Sequence, residues 1–305
     1  MIPHLLWKCA ILAFTLIAIL SAQAQDLEPR AYANTPVGMN FILARYEYSE
    51  GGVATDPTVP LENAELQAHK FLLAYACSMD VWGLSGKFNM IVPYACASGS
   101  AELSGQLRER DICGLADPRL RLAVNIFGAP ALTLNEFKNY QQDLIVGVSL
   151  QVTPPLGQYD AEKLLNIGTN RWSFEPEIGI SKRVGALTLE LAASVSYFTD
   201  NDDFLGSQTL EQDPIYAVQG HIIYGFKSGI WGALNGTFYT GGRTTIDGVK
   251  GDTLQENSRV GATFTLPVNR HHSIKLYAST GVSTRTGSDF DAIGFAWQYR
   301  WGGGL

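Results

Sequence analysis

The chain lacks the periodicity of helices. After the first 25 residues it also lacks any stretch both long and continuously apolar, so no later segment can cross a bilayer as a helix. Charge is scarce, at 17% of 305 residues, and no basic run occurs. With a formal net charge of −7, this excludes a nucleic-acid partner. Only four cysteines are present, and their spacing fits no zinc pattern. No internal repeat is visible beyond a hairpin rhythm. What the chain does have is glycine, 31 residues of it, and aromatics at 11%, a pairing that without helices suggests an all-β protein.

The N-terminus reads as a targeting segment. In "MIPHLLWKCAILAFTLIAILSAQAQ", Lys8 precedes an apolar run from Cys9 to about Leu20, and Ala22-Gln23-Ala24 has the small-x-small form of a cleavage site. The expectation is a cleaved secretory signal over residues 1–24, with a mature chain from about Gln25 and a formal charge of −8 once Lys8 is gone. Cys9 opens the apolar run instead of following it, which is the wrong side for a lipoprotein. Cys77, Cys96 and Cys113 remain, an odd number in an oxidising compartment, leaving at most one internal disulfide.

Period-two alternation then recurs along the chain. Leu120, Leu122, Val124 and Ile126 alternate with Arg119, Arg121 and Asn125. Val146, Val148 and Leu150 alternate with Ser149 and Gln151, with Asp143 at the start of the same segment. Leu187, Leu189 and Leu191 alternate with Thr188 and Glu190. In the third segment Trp82, Leu84, Phe88 and Met90 share one side, and Ser85, Lys87 and Asn89 the other. At the end of the chain, Ile293, Phe295, Trp297, Tyr299 and Trp301 alternate with Gly294, Ala296, Gln298 and Arg300. Segments of about ten residues suit a tilted bilayer span. Twelve are found, near 37–48, 67–78, 81–94, 118–128, 143–152, 171–181, 186–198, 214–227, 229–240, 258–268, 272–285 and 293–301. An even count closes a bacterial outer-membrane barrel.

The links are a second test. Those after strands two, six, eight and ten are tight ("SMD", "RVG", "KSG", "NRHH"), whereas those after one, three, five, seven and nine are long and polar. Short periplasmic turns and long outer loops are the pattern of such barrels. The longer link after strand four carries Thr133 and Glu136, a capping-box pair that predicts a short helix. A second short helix is expected over residues 160–166. The predicted architecture is an all-β, antiparallel, up-and-down transmembrane barrel over residues 37–305, preceded by a periplasmic segment over 25–36.

Projected inward, the polar sides place Lys87, Arg119, Arg121, Asp143, Glu175, Glu177, Glu190, His221, Arg259, Lys275 and Arg300 in the lumen. These charges read either as a structural ladder of ion pairs or as a constriction that selects solutes. Asp200, Asp202, Asp203, Asp247 and Asp252 cluster in loops without the spacing of a calcium site, so no metal or other cofactor is expected. Cys96 and Cys113 share an outer loop and form a candidate disulfide. His271 and Ser273 are a histidine-serine pair of the kind outer-membrane lipases use, but they lie at a tight periplasmic turn, and no enzyme is expected.

The segments "GLADPRLRLAVNIFGAPAL", "LQVTPPLGQYD", "NIGTNRWSFEPEIGISK", "YFTDNDDF", "YTGGRTT" and "YASTGVSTRTGSDFD" resemble the outer-membrane transporter family grouped under the meta-pathway of phenol degradation. The resemblance spans roughly residues 35–303. It implies a closed barrel and uptake of small, often aromatic, compounds, and it supplies no catalytic residues. The reading is therefore a monomeric channel in the bacterial outer membrane for passive uptake of small molecules. Its partners are outer-membrane lipids, lipopolysaccharide, the barrel-assembly machinery and a small solute. A closed scaffolding barrel is the alternative, and a lipid hydrolase a more distant one.

Overall fold

The computed structural model describes residues 28–54, 61–103, 106–163 and 165–305. The expected signal and mature start near Gln25 lie outside the described residues. The elements are β1 (Met39–Ala54), β2 (Leu61–Val81), β3 (Leu84–Leu103), β4 (Gln106–Leu115), β5 (Arg119–Phe127), α1 (Leu134–Phe137), β6 (Leu144–Thr153), β7 (Ser173–Val184) and β8 (Leu187–Phe198). They continue with β9 (Asn201–Phe204), β10 (Gln208–Gln212), β11 (Ile215–Gly225), β12 (Trp231–Gly241), β13 (Thr244–Ile246), β14 (Val249–Lys250), β15 (Gln255–Pro267), β16 (His272–Ser283) and β17 (Gly287–Gly302).

Pairing runs antiparallel from each stave to the next, and β1 closes on β17 from Met39↔Gly302 to Ala54↔Gly287. β4 and β5 both pair with β3 and form two halves of one stave, broken at Ala116-Asp117-Pro118. Proline has no N–H for a ladder, and the break falls opposite a second one, with the Ala116 N–H donating to the Pro93 carbonyl. Counting that stave once, the ring has twelve, all foreseen by period-two alternation.

Alternation sorts the faces as a bilayer demands. Outward residues keep large exposed side chains, including Leu189, Leu191, Ile222, Phe264, Leu276, Phe295 and Trp297. Inward neighbours on the same strands are buried and mostly polar or small, as with Ser194, Ser196, His221, Thr263 and Ala296. The terminal aromatic ladder faces lipid, with Trp297, Tyr299 and Trp301 stacked along one another. Trp82 departs from its expected place on the lipid side of the third segment. It lies in the two-residue turn between Val81 and Leu84, where Trp82 and Gly83 both take positive φ, as the twist of a tight hairpin requires.

Three expectations about the links are corrected. The polar stretches after the first and third strands are continuations of β1, β2 and β3 together with β4, standing beyond the membrane. Their covered faces are mostly Ala and Gly, with Val53, Leu66 and Ile112 the few larger members, too sparse to show an apolar period, and they are covered by Leu165 and Ile167, which pack on Val53, Ala64, Ala68, Ala97 and Ala101. The helix expected over 160–166 is a single turn. The Asn166 side chain replaces further helix bonds by accepting from the Asp160 N–H and donating to the Asp160 and Lys163 carbonyls. The loops after β8 and β12 combine into a four-stranded sheet in the order β14-β13-β10-β9, closed over Phe204, Leu210 and Ile246. The helix α1 follows the capping box, and hydrogen bonds from Thr133 hold the Glu136 carboxyl below the usual range.

Candidate functional site

Of the segment expected in the periplasm over 25–36, the described residues 28–36 double back from the start of β1 into the barrel. At that turn the Val37 N–H donates to the Leu132 carbonyl, and the Ser78 hydroxyl donates to the Pro36 carbonyl at 2.5 Å. Tyr32 is the segment's anchor and is 3% exposed. Its ring fits between β6 and β7 because those strands carry Gly147 and Gly179 there: a Cβ on either would lie 2.1 or 2.2 Å from a ring carbon. Glycine inside a strand marks such close approaches.

Around the ring, the Tyr32 hydroxyl donates to Glu177 at 2.6 Å, Arg121 donates to the same carboxylate at 2.5 Å, and Gln219 donates to it at 2.9 Å. Three donors on one buried carboxylate offset the cost of removing its charge from water. The backbone of the segment is held as firmly. Asn125 donates to the Tyr32 carbonyl at 3.1 Å, Lys87 to the Ala31 carbonyl at 3.2 Å, and the Arg30 N–H to Glu190 at 2.7 Å. Lys275 pairs with Glu28, and the Arg30 guanidinium lies 5.5 Å from the Trp231 ring centre.

The segment occupies part of the lumen, anchored chiefly on β5 to β8 and reaching Lys87, Trp231 and Lys275. Beside it runs a cavity of about 1150 Å³, whose wall draws on β1 to β3 and β15 to β17 and also on β5 to β8, β11 and β12. It touches Asp117 and Thr169 at the outer end and His272 and Arg300 at the inner end. Its wall carries a second polar cluster. Glu47 accepts from Arg45 at 2.5 Å and from Lys70 at 3.0 Å, while Arg45 also donates to the Tyr277 hydroxyl at 2.5 Å. Nearby, Arg259 stacks at 3.7 Å over Phe290, and Lys70 lies 4.9 Å from the same ring.

Lys87, Arg119, Arg121, Glu175, Glu177, Arg259, Lys275 and Arg300 line this cavity. Glu190 faces the segment instead, and His221 is buried in a ladder with Asn235 at 2.9 Å and, through it, Thr263. Asp143 is the exception. It stands outside the lumen, its side chain 77% exposed, paired with Lys182 at the inner rim. It precedes the first paired residue of β6, so strand parity does not hold it inward. Alternation in the first strand also gives Arg45 and Glu47, which the inward assignment omitted; Tyr32 lies outside any strand and has no period to reveal it.

The remaining candidates have structural partners. Cys96 and Cys113 are opposed in the β3–β4 ladder and joined by a disulfide. His271 donates from Nδ1 to the Arg300 carbonyl. Asp247 accepts from the Thr209 N–H and from Gln208, and Asp252 pairs with Arg285 and Arg243. Among the described residues no group of three His, Cys, Asp or Glu side chains is placed to hold a metal.

A closed antiparallel barrel with an apolar outer belt, a polar interior and no unpaired sheet edge within the belt is the architecture of an outer-membrane protein. Solved structures agree on the fold. An outer membrane channel from Pseudomonas putida F1 superposes with a TM-score of 0.78 at 20% identity, over 90% of this chain and 100% of that one. The transport unit of the autotransporter AIDA-I from Escherichia coli gives 0.53 at 9% identity, over 96% and 98%. No curated protein matches the sequence. Residues 49–299 match the family described as "Putative MetA-pathway of phenol degradation", and the chain belongs to that family.

Proposed function

We propose that this protein is a passive outer-membrane channel for small molecules and that its path is the cavity beside the N-terminal segment. The observation that carries this reading is one cavity touching residues at both ends of the barrel, Asp117 and Thr169 at one and His272 and Arg300 at the other. Its volume is comparable with the several hundred Å³ of ordinary small-molecule sites. The family's description and the likeness to the Pseudomonas outer membrane channel support the same reading. Phe41, Tyr277 and Phe290 on the cavity wall suit solutes with an aromatic or apolar body. Lys87, Arg119, Arg121, Glu175, Glu177, Arg259, Lys275 and Arg300 are the groups such a solute meets. The protein works as a monomer among outer-membrane lipids and lipopolysaccharide, is placed there by the barrel-assembly machinery, and has no catalytic role.

A second reading, a closed scaffolding barrel, is favoured by one observation: the ion-paired anchor of Tyr32, Arg121 and Glu177 lies inside the lumen. Growth separates the two. A channel for aromatic solutes predicts that deletion slows growth on a dilute aromatic carbon source and spares growth on succinate. Unimpaired growth across a panel of such substrates, with silent bilayers, supports the scaffold.

A further inference from the structure

The charge of the cavity is opposite to that of the chain. Whole, the protein has 29 acidic and 22 basic residues. Lining the cavity, however, are nine Lys or Arg side chains against five Asp or Glu. Four of the five carboxylates are moreover held by cations or by several donors, and Glu175 accepts from the Ser196 hydroxyl. Glu47 holds two cations, and Glu177 holds Arg121, Tyr32 and Gln219. Asp117 is bound by the Gly157 and Thr169 N–H groups and the Thr169 hydroxyl, and Glu28 pairs with Lys275.

Among the described residues, three of these cations give their hydrogen bonds to neutral groups, although Glu190 lies within Coulombic reach of Lys87, and Glu47, Asp289 and Asp291 within that of Arg259. Lys87 donates to the Ala31 carbonyl, and Arg300 to the Arg270 carbonyl. Arg259, 3% exposed, donates to the Ser279 hydroxyl and the Phe290 carbonyl, and its Nη1 has no partner there. Arg259 lies toward the outer end of its strand, while Lys87 and Arg300 lie toward the inner ends of theirs. Cations that no carboxylate holds by a hydrogen bond therefore recur along the path, and the wall as a whole carries more cations than carboxylates. Rings of Arg and Lys are how pores favour anions, and low-dielectric walls strengthen their field.

Resting on the channel reading above, we propose that the path selects small organic anions, solutes with a carboxylate or similar group on an apolar or aromatic body. The negative group moves between the cations, and the body passes the rings of Phe41, Tyr277 and Phe290. A bare anion uses only the charges; a neutral aromatic uses only the rings.

The test is reversal potential and solute block, measured on the full-length protein in planar bilayers. Under a potassium chloride gradient the channel should prefer chloride, and benzoate should block chloride current at concentrations where benzyl alcohol and benzylamine do not. Arg259→Gln should weaken benzoate block by about threefold or more and lower the chloride preference. Arg259→Lys, which keeps the charge, should retain both. Because Arg259 is buried, Lys70→Gln serves as a second variant: Glu47 keeps Arg45, and benzoate block should again weaken. A conducting channel that prefers potassium, or that benzyl alcohol blocks as well as benzoate does, overturns the proposal and leaves the channel reading standing. Silent bilayers overturn the channel reading itself, and the proposal with it.

Discussion

Gly179 offers a way to unseat the N-terminal segment without touching the barrel's hydrogen bonds. In Gly179→Ala, the added Cβ would lie 2.2 Å from Cε2 and 2.6 Å from Cδ2 of Tyr32. Ordinary carbon contacts begin near 3.5 Å, so the ring must move by more than an ångström, and Gly147 with Ile145 and Ala192 closes the space around it. Leaving the site forfeits the burial of a large aromatic side chain, about 2 to 3 kcal/mol. It also forfeits a hydrogen bond to a charged group, about 1.5 to 3 kcal/mol. The seated state thus loses roughly 3.5 to 6 kcal/mol, a fall of about two and a half to four decades in its population. In single-channel recordings the variant should show larger conductance or more frequent transitions to a larger state, and hydroxyl-radical footprinting should find Tyr32 newly reactive. Gly236→Ala, whose added methyl meets nothing nearer than 4.0 Å, is the control. A Gly179→Ala protein with unchanged conductance, unchanged gating and a protected Tyr32 would refute the seating argument.

Other expectations follow from faces, topology and cross-links. Leu189→Arg places a charge on the lipid side and should cost roughly 2 to 4 kcal/mol near the midplane, whereas Ser194→Arg, on the cavity wall, should assemble. Heat-modifiable gel mobility reads this, and the reverse pattern would invert the assigned faces. A tag at Gly248, in the β13–β14 turn, should be reachable on intact cells and one at Gly185, in the β7–β8 turn, should not; equal labelling would contradict the topology. Breaking the disulfide with Cys113→Ser, which opens a separation of 17 residues, should remove about 3 kcal/mol from the β3–β4 hairpin. Trypsin should then cut faster after Arg108 and Arg110, and an unchanged digestion rate would show that Leu165 and Ile167 hold the hairpin alone.

The membrane-spanning part of each stave was legible because lipid outside and polar lumen inside impose a contrast at every second residue. Where one face is not lipid, contrast vanishes. The outer reaches of β1 to β4 have mostly Ala and Gly on the covered face and charged residues opposite, and they read as polar loop. The order contributed by Leu165 and Ile167 comes from a loop some 60 residues away in sequence from β3 and cannot be inferred locally. Parity placed Glu177 and Arg121 in the lumen correctly as geometry but failed for Asp143, where the ladder had not begun. Tyr32 was illegible for a different reason. Its site is written in Gly147 and Gly179, whose lack of a side chain is meaningful only once β6 and β7 are known to be neighbours and something is known to lie against them.

The proposed path runs along the cavity beside the N-terminal segment, with β2 on its wall. Its most direct measurement is the conductance of Ala74→Cys in a Cys77→Ser background before and after a bulky thiosulfonate reagent, compared with Ala44→Cys in the same background. Ala74 faces that cavity and Ala44 faces lipid. Discrete channels are expected in both variants, with current falling sharply on modification at residue 74 and unchanged by modification at residue 44. Absence of channels, or current indifferent to modification at residue 74, would contradict that path.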